Sequence, residues 1–240
     1  MTALGENLAR LEEAIARACR AAGRARSEVE LMAVSKTHPA ATLAEAAALG
    51  LTLFGENRVQ EFALKAAALG LWRKSTECHL IGHLQSNKAA LAVELFDGID
   101  SLDSLRLAER LDEAAGKCGK RLPVLIEVKL SPEETKAGLE PESEEAARLL
   151  EALPDFRHLE TRGLMTIAPW GVAEDETRAC FRNLRGWRDR WAKAHPRLNL
   201  DVLSMGMSGD FALAIAEGAT RIRVGTSLFG KRSPQQQERE

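Results

Sequence analysis

Lys36 has a position in the chain that suggests chemistry, because it ends the apolar segment 29–36 shortly before Pro39. If this segment is a β-strand, alternation places Met32, Val34 and Lys36 on the same face. An ammonium group taken out of water is costly unless it is paired, deprotonated or used covalently. Lys36 is therefore either a lysine whose amine reaches solvent at a strand end, or an amine that binds or attacks a ligand.

Two turns of small residues in the segment 203–230 could bind an anion. Residues 206–209 precede a predicted helix, and residues 225–227 follow a predicted strand. Backbone N–H groups in such turns can surround a phosphate, assisted by a helix N-terminus. Either turn alone could serve only to reverse the chain. In a barrel of alternating strands and helices, however, the loops after the seventh and eighth strands are a frequent phosphate site.

Arg223 and Asn57 are two further polar residues at predicted strands. Arg223 alternates with Ile222 and Val224, so it faces the opposite side of its strand, where a buried arginine needs an acceptor or a ligand. Arg221 lies at the start of the same strand, where we expect a structural salt bridge. Asn57 precedes a helix, and it can cap that helix, reach a ligand or do both.

Two other motifs are weaker. His79 and His83 are four residues apart, a metal-binding spacing on a helix, but their segment has a strand-like pattern and we predict no metal site. His83 can still line a pocket. The segment 206–210 approaches the GxSxG motif of serine hydrolases, but Asp210 replaces its last glycine and no histidine is placed as a base.

The elements that position these residues alternate along the chain after an amphipathic N-terminal helix. Helices separate eight predicted strands, and glycines at positions 50 and 70 mark two helix ends. This order favours right-handed βαβ units, and eight units favour an α/β fold of the (β/α)8 TIM type over an open doubly wound sheet. The strands are predicted near residues 29–36, 51–57, 77–84, 95–100, 124–130, 159–167, 200–206 and 221–228.

Composition restricts the classes of function. The 240 residues have a formal net charge of -2 and are 45% apolar, which favours a globular protein and gives no support for binding nucleic acid or an anionic membrane. We find no signal sequence, and four cysteines without CxxC pairing are typical of reduced thiols, so we expect a cytoplasmic protein. We predict a single domain over residues 1–230 and a disordered polar tail over residues 231–240.

Seven motifs together resemble the pyridoxal phosphate homeostasis proteins, single-domain relatives of the alanine racemase barrel. They are MAVSKTHP, FGENRVQE, HLIGHLQSNK, EETKAGL, GLMTI, SMGMSGD and RIRVGTSLFG, in the order that the family has them. The resemblance runs from about residue 29 to residue 230 and implies a barrel of the fold type III class of pyridoxal 5′-phosphate (PLP) proteins.

The resemblance also implies a role for each matched residue. Lys36 would form a covalent aldimine with PLP, and Arg223 would face the pyridine nitrogen. Asn57 and Met165 would line the pocket around the ring. The residues expected to hold the phosphate are Ser204, Ser208, Gly225 and Thr226.

The implied function is binding, buffering and delivery of PLP, with effects on amino-acid balance and no catalysis. The larger racemases use a lysine and a tyrosine as their two bases, and this chain has no tyrosine at all. We expect a monomer whose partners are PLP and apo forms of PLP-dependent enzymes. Two alternatives are an amino-acid racemase with a different second base, and a barrel that binds another phosphorylated metabolite.

Three positions depart from the family pattern. His83 stands where the family often has proline, Arg58 where tyrosine is frequent, and Lys129 where asparagine is frequent. Because Lys129 is a second amine on a predicted barrel strand, we expect it near the cofactor.

Overall fold

The computed structural model describes residues 2–66, 68, 71–131 and 137–230. Eight parallel strands form a closed barrel in which neighbours follow the chain order and the last strand pairs with the first. This confirms the predicted (β/α)8 architecture. The strands are β1 (Glu30–Val34), β2 (Leu53–Glu56), β3 (Glu77–Leu80), β4 (Gly98–Leu102), β5 (Leu122–Glu127), β6 (Leu159–Met165), β7 (Val202–Ser204) and β8 (Arg221–Val224).

Helices cover the outside of this barrel. None of the helices in the described part of the chain is long and apolar enough to cross a bilayer. Their bounds are α1 (Ala3–Ala21), α2 (Ala40–Ala48), α3 (Val59–Ala66), α4 (Ala89–Leu95), α5 (Leu105–Lys117), α6 (Glu144–Ala152), α7 (Glu174–Ala194), α8 (Phe211–Ala216) and α9 (Thr226–Phe229). The predicted helix end at Gly70, residues 133–136 of the motif EETKAGL and the tail 231–240 lie outside the described residues.

The extra N-terminal helix packs on the outside of the barrel, against α8 and α9. Its stripe of Leu4, Leu11, Ile15 and Cys19 is buried in this contact. The side-chain amide of Asn7 donates to the carbonyl of Leu228 at 3.0 Å, which ties α1 to α9. Because α9 directly follows β8, α1 packs next to the predicted site segment that begins at Gly225.

The strands are shorter than the predicted segments, because their last residues leave the sheet to form turns. β1 ends at Val34, so Lys36 lies in the turn that follows. The prediction of a strand from residue 95 to residue 100 is displaced in the structure, since β4 runs from Gly98 to Leu102. The next helix, α5, begins at Leu105 and is capped by Ser104, whose hydroxyl accepts from the N–H of Leu107 at 3.3 Å.

Alternation along β1 divides the core into two parts. Leu31 and Ala33 pack outward into the layer between sheet and helices. Met32 and Val34 point into the barrel, where they contact Leu53 and Ile81. The predicted faces of this strand are therefore correct, and an apolar plug fills the barrel beneath the carboxyl ends of β1, β2 and β3.

A buried charged cluster occupies another part of the barrel interior. Arg221, the first residue of β8, binds the carboxylates of Glu30 at 2.7 Å and Asp100 at 3.1 Å. Asp100 in turn lies 2.8 Å from Nδ1 of His79. The predicted structural salt bridge of Arg221 is confirmed.

Candidate functional site

A cavity of about 660 Å³ lies at the carboxyl ends of the strands. Its wall draws residues from the ends of β1, β2, β5 and β8 and from the loops that follow β3, β6 and β7. This is the face on which barrels of this type place their chemistry. Six of the eight predicted site residues line the cavity together: Lys36, Asn57, Ser208, Arg223, Gly225 and Thr226.

The turn that carries Lys36 is held at the residue after it, Thr37. Thr37 has φ +67°, a left-handed conformation that costs free energy for a residue with a branched side chain. The backbone N–H of Thr37 donates to Oε1 of Glu61 on α3 at 2.6 Å. This bond fixes the direction in which the chain leaves Lys36.

The same turn is held at its first residue, Ser35, by an ion pair. Nζ of Lys65 lies 3.0 Å from Glu56 and 2.7 Å from Glu61, and it donates to the Ser35 carbonyl at 3.1 Å. The Ser35 hydroxyl donates to Glu56 at 2.7 Å. Burial raises the pKa of Glu56, and the positive charge of Lys65 opposes that shift. The Glu56–Glu61–Lys65 cluster therefore fixes the backbone on both sides of Lys36.

Arg223 is buried in the barrel and holds a defined orientation. One terminal nitrogen donates to the carbonyl and hydroxyl of Ser204 at 2.7 and 2.9 Å. The other donates to the carbonyl of Thr166 at 2.8 Å. These bonds direct a fixed cation towards the cavity.

Two predicted site residues lie elsewhere than expected. Ser204, expected to hold the phosphate, is fully buried at the end of β7, and it is not in the cavity wall. Its hydroxyl accepts the bond from Arg223 instead. Met165, expected beside the ring, is also fully buried and absent from the wall. Both residues pair within the sheet itself, whereas the next residues that line the cavity, Ile167 and Met207, lie two and three positions further along the chain.

The two small-residue turns meet at the cavity. The hydroxyl of Ser208 accepts from the backbone N–H of Ser227 at 3.3 Å, which joins the turn after β7 to the turn after β8. Gly206 has φ +91°, and a Cβ there would lie 2.5 Å from the side chain of Ala214. Asp210 accepts from the N–H of Met207 and stabilises the first turn. The position that breaks the serine hydrolase motif therefore has a structural role.

Asn57 lines the cavity directly after β2. Its backbone is packed closely against Gly82, since a Cβ at Gly82 would lie 2.2 Å from the carbonyl oxygen of Asn57. This contact joins the loops after β2 and β3 and fixes the place from which the Asn57 amide can reach a ligand.

The two histidines of the motif HLIGHLQSNK have separate environments. His79 is buried inside the barrel with Asp100, whereas His83 is more than half exposed at the cavity rim and lies 3.1 Å from Asp103. Over the described residues, no group of three or more metal-binding side chains is found. Lys129, predicted near the site, lines the cavity and lies 3.6 Å from the carboxylate of Glu140.

Glu127 is a cavity residue that sequence reasoning missed. It ends β5, is only 5% exposed, and its Oε2 has no hydrogen-bond partner among the described residues. Burial raises the pKa of Glu127 to about 7, with a further contribution from Asp103. The signal was present in the sequence, because Glu127 is a charged residue at the end of an apolar strand, as is Lys36.

Comparison with known proteins gives the same fold and a family match over almost the whole chain. Residues 7–233 match the family model of the alanine racemase N-terminal domain. The pyridoxal phosphate homeostasis protein of Aquifex aeolicus is 42% identical over 227 residues, covering 95% of this chain and 97% of the relative. Its counterpart in Escherichia coli K12 is 40% identical over 237 residues, covering 97% and 98% of the two chains.

Solved structures extend the comparison. PipY of Synechococcus elongatus, determined with PLP bound, is 45% identical with a TM-score of 0.83, covering 95% of this chain and all of PipY. An alanine racemase of Clostridium difficile has a TM-score of 0.72 at 15% identity, and the match covers 94% of this chain but 58% of the racemase. The barrel is therefore shared with the racemase, whose remaining length has no counterpart in the match.

Proposed function

The chain belongs to the alanine racemase N-terminal domain family and, within it, to the pyridoxal phosphate homeostasis proteins, and on this premise we propose that it binds PLP reversibly through Lys36. Residues 1–230 would form the single PLP-binding domain. Its role would be to buffer free PLP in the cytoplasm and to pass it to apo forms of PLP-dependent enzymes.

One observation carries this proposal: Lys36 lines the same cavity as the two joined turns after β7 and β8. If Ser208, Gly225 and Thr226 hold a phosphate group, the rest of a small ligand would lie in the same cavity, whose wall also contains Lys36. Cavities of about this volume suit a ligand of the size of PLP. The covalent bond expected at Lys36 is an aldimine between its amine and the cofactor aldehyde.

Arg223 supports a holding role. PLP supplies an electrophilic carbonyl and an electron-accepting ring when it is bound. Ser204 and Thr166 fix the guanidinium of Arg223. Next to the ring nitrogen of PLP, this cation would disfavour protonation of that nitrogen and so weaken the ring as an electron acceptor. Ser204 therefore contributes through Arg223, and Asn57 bounds the ring from the β2 side.

The experiment is an absorbance spectrum of the purified protein with added PLP. The wild type should show a band above about 400 nm, typical of a lysine aldimine. Lys36→Ala should lose the band, whereas Lys129→Ala, which removes the other amine of the cavity wall, should keep it. Borohydride reduction followed by peptide mass analysis should place the cofactor on Lys36. A wild-type protein that takes up no PLP would contradict the proposal.

The absence of catalysis has its own test. Two-base racemisation needs a second base opposite the lysine, and the tyrosine that supplies it in racemases is missing here. We expect no exchange of the Cα hydrogen when amino acids are incubated with the holo-protein in deuterated water. Exchange that disappears in Lys36→Ala would show a racemase-type activity.

Delivery is tested by transfer of PLP to an apo-enzyme. The holo-protein should restore the activity of an apo-enzyme, and a protein whose PLP has been fixed by borohydride should not. We expect the protein to be a monomer by light scattering, both with and without PLP.

A further inference from the structure

Glu127 carries a buried carboxyl group, one oxygen of which has no hydrogen-bond partner among the described residues. It lies at the end of β5, its side chain is in the cavity wall, and its Oε2 is inaccessible to solvent without a hydrogen bond from any described residue. Buried polar atoms are nearly always bonded in folded proteins, so such an atom in a binding cavity indicates a missing partner.

The barrel topology places Glu127 across the cavity from Lys36. In a closed eight-stranded barrel, β5 lies four strands away from β1 in either direction. The turns that join Ser208 to Ser227 lie on a third side, after β7 and β8. A ligand bound to Lys36 with its phosphate in these turns therefore has Glu127 beside its ring, away from its phosphate.

The nearest charges favour a protonated Glu127. The positive charge of Arg223 lowers the pKa of Glu127, but burial and Asp103 outweigh this effect. The terminal nitrogens of Arg223 donate their hydrogen bonds to Ser204 and Thr166. Asp103 is a second carboxylate close enough to disfavour another negative charge. Burial acts in the same direction, since a dry environment disfavours the ionised form.

We propose that Glu127 is a ligand-binding residue whose protonated carboxyl donates a hydrogen bond to an acceptor atom on the ring of the bound cofactor. This inference rests on the proposed function and specifies the ligand class. The site accepts a phosphorylated aromatic aldehyde whose ring carries an oxygen or nitrogen acceptor on the side facing β5. The bond gives the carboxyl its missing partner without introducing a charge.

The inference implies that cofactor affinity depends on pH. The pKa of Glu127 is raised to about 7 by burial and by Asp103. Above that pH, binding requires the carboxylate to take up one proton from solvent, so affinity falls by up to about tenfold per pH unit. In the part of the chain that the structure describes, the other charged and titratable side chains around the cavity are Lys36 after β1, His83 after β3, Asp103 after β4, Lys129 after β5, Asp210 after β7 and Arg223 on β8.

The experiment measures the PLP dissociation constant between about pH 6 and about pH 8.5 for the wild type and four variants. Glu127→Gln keeps an N–H donor and is neutral at every pH, so it should bind like the wild type at low pH and lose the decline at high pH. Glu127→Met removes the donor and should bind about three- to tenfold more weakly at low pH. Asp103→Asn should move the decline in affinity to lower pH, because removing the neighbouring negative charge lowers the pKa of Glu127.

The effect of Asp103 on the pKa of Glu127 can be measured separately, in the protein without PLP. Carbon-13 NMR of the glutamate carboxyl groups, assigned by their loss in Glu127→Gln, should show Glu127 titrating near neutral pH. The same titration should occur at lower pH in Asp103→Asn, since a neighbouring negative charge has been removed. Glu140→Gln changes an exposed carboxylate that pairs with Lys129 and is the matched control, which should keep the wild-type pH profile.

PLP itself ionises over this range, so each variant is compared with the wild type at the same pH. Inorganic phosphate, tested as a competitor, would occupy only the two turns after β7 and β8. The affinity for phosphate should therefore change little in either Glu127 variant. Glu127→Gln with an unchanged pH profile, or an NMR titration near the ordinary pKa of a glutamate, would overturn the inference while leaving PLP binding intact. A wild type that fails to bind PLP would remove the proposed function, and this inference with it.

Discussion

Lys65 offers a direct test of how the turn of Lys36 is held. Its ammonium group lies 3.0 and 3.2 Å from the two oxygens of Glu56, and the two side chains are 10% and 0% exposed. Lys65→Met keeps most of the aliphatic side chain but removes the charge. Glu56 would then remain in a dry site with the hydroxyl of Ser35 as its donor. We expect the free energy of unfolding to fall.

The size of the loss follows from the burial of the pair. Removing one partner of a buried ion pair costs about 3–5 kcal/mol. Protonation of Glu56 limits the cost, since moving a proton at pH 7 onto a carboxyl with an unfolded pKa near 4.3 requires about 3.7 kcal/mol. Losing the bond from Lys65 to the Ser35 carbonyl adds about 1 kcal/mol. We therefore expect a loss of about 4 kcal/mol at neutral pH.

The loss should depend on pH with a defined sign. Without Lys65, the pKa of Glu56 in the folded state lies further above its unfolded value, because burial then acts unopposed. Between these two values the folded state binds more protons than the unfolded state, so stability is greatest at low pH and falls as pH rises. The slope is at most about 1.4 kcal/mol per pH unit.

Urea unfolding followed by circular dichroism measures these quantities at about pH 5.5 and about pH 8.5. The double variant Glu56→Gln/Lys65→Met should recover more than half of the loss, because it removes both charges. Lys117→Met is the matched control, since Lys117 pairs with Glu113 on the surface and should lose less than about 1 kcal/mol. A loss at Lys65 as small as this control, with no pH dependence, would refute the reasoning.

Three further predictions concern the rest of the barrel. Burial lowers the pKa of His79, but Asp100 outweighs it and raises this pKa to about 9; Asp100→Asn should bring it below its ordinary value in an NMR titration, and an unchanged pKa would contradict the assignment. Gly206→Ala should cost about 2 kcal/mol or more in urea unfolding, because φ is +91° and a neighbouring side chain lies 2.5 Å from the added Cβ. Gly209→Ala, where a Cβ meets nothing, should cost far less. Cys118 is the exposed cysteine, so a thiol reagent should modify one group rapidly and the other three after unfolding; two rapid groups would contradict the fold.

The barrel was predictable because it depends on a pattern that the whole chain repeats. Apolar segments alternate with amphipathic ones eight times, and eight βα units close a sheet without edges. The ends of the strands were less predictable. Lys36 continues an apolar segment in sequence, but the chain turns directly after Ser35, whose N–H still donates to Gly55 of β2. Lys65 donates to the Ser35 carbonyl and Glu61 accepts from the N–H of Thr37, and both residues follow much later in the chain.

The candidate site was predictable where a motif fixes the backbone, and it was not where a side-chain direction matters. The turns at Ser208 and Gly225 lie at the cavity as expected. Ser204 and Met165 belong to the same motifs, but their side chains lie in the packed interior. A motif gives the position of a residue along a strand, whereas its contact with a ligand depends on how far that strand extends before it turns.

Glu56 and Glu127 show why the sequence could not separate structural carboxylates from functional ones. Each is the last residue of a buried strand, and each is almost completely removed from solvent. Lys65 pairs with Glu56, and this pair fixes the turn of Lys36. No described residue donates a hydrogen bond to Oε2 of Glu127, and Arg223 donates to Ser204 and Thr166.

The difference between these two carboxylates explains how the cavity can hold a cofactor and still release it. The turn of Lys36 is fixed by an ion pair that needs no ligand, so the amine is in place before the cofactor arrives and little ordering is required on binding. On the opposite side, Glu127 contributes to binding only while it carries a proton, and that proton is exchanged with solvent near neutral pH. A residue whose contribution to affinity changes with its protonation makes the cofactor easier to release, which is what a protein that stores and delivers PLP requires.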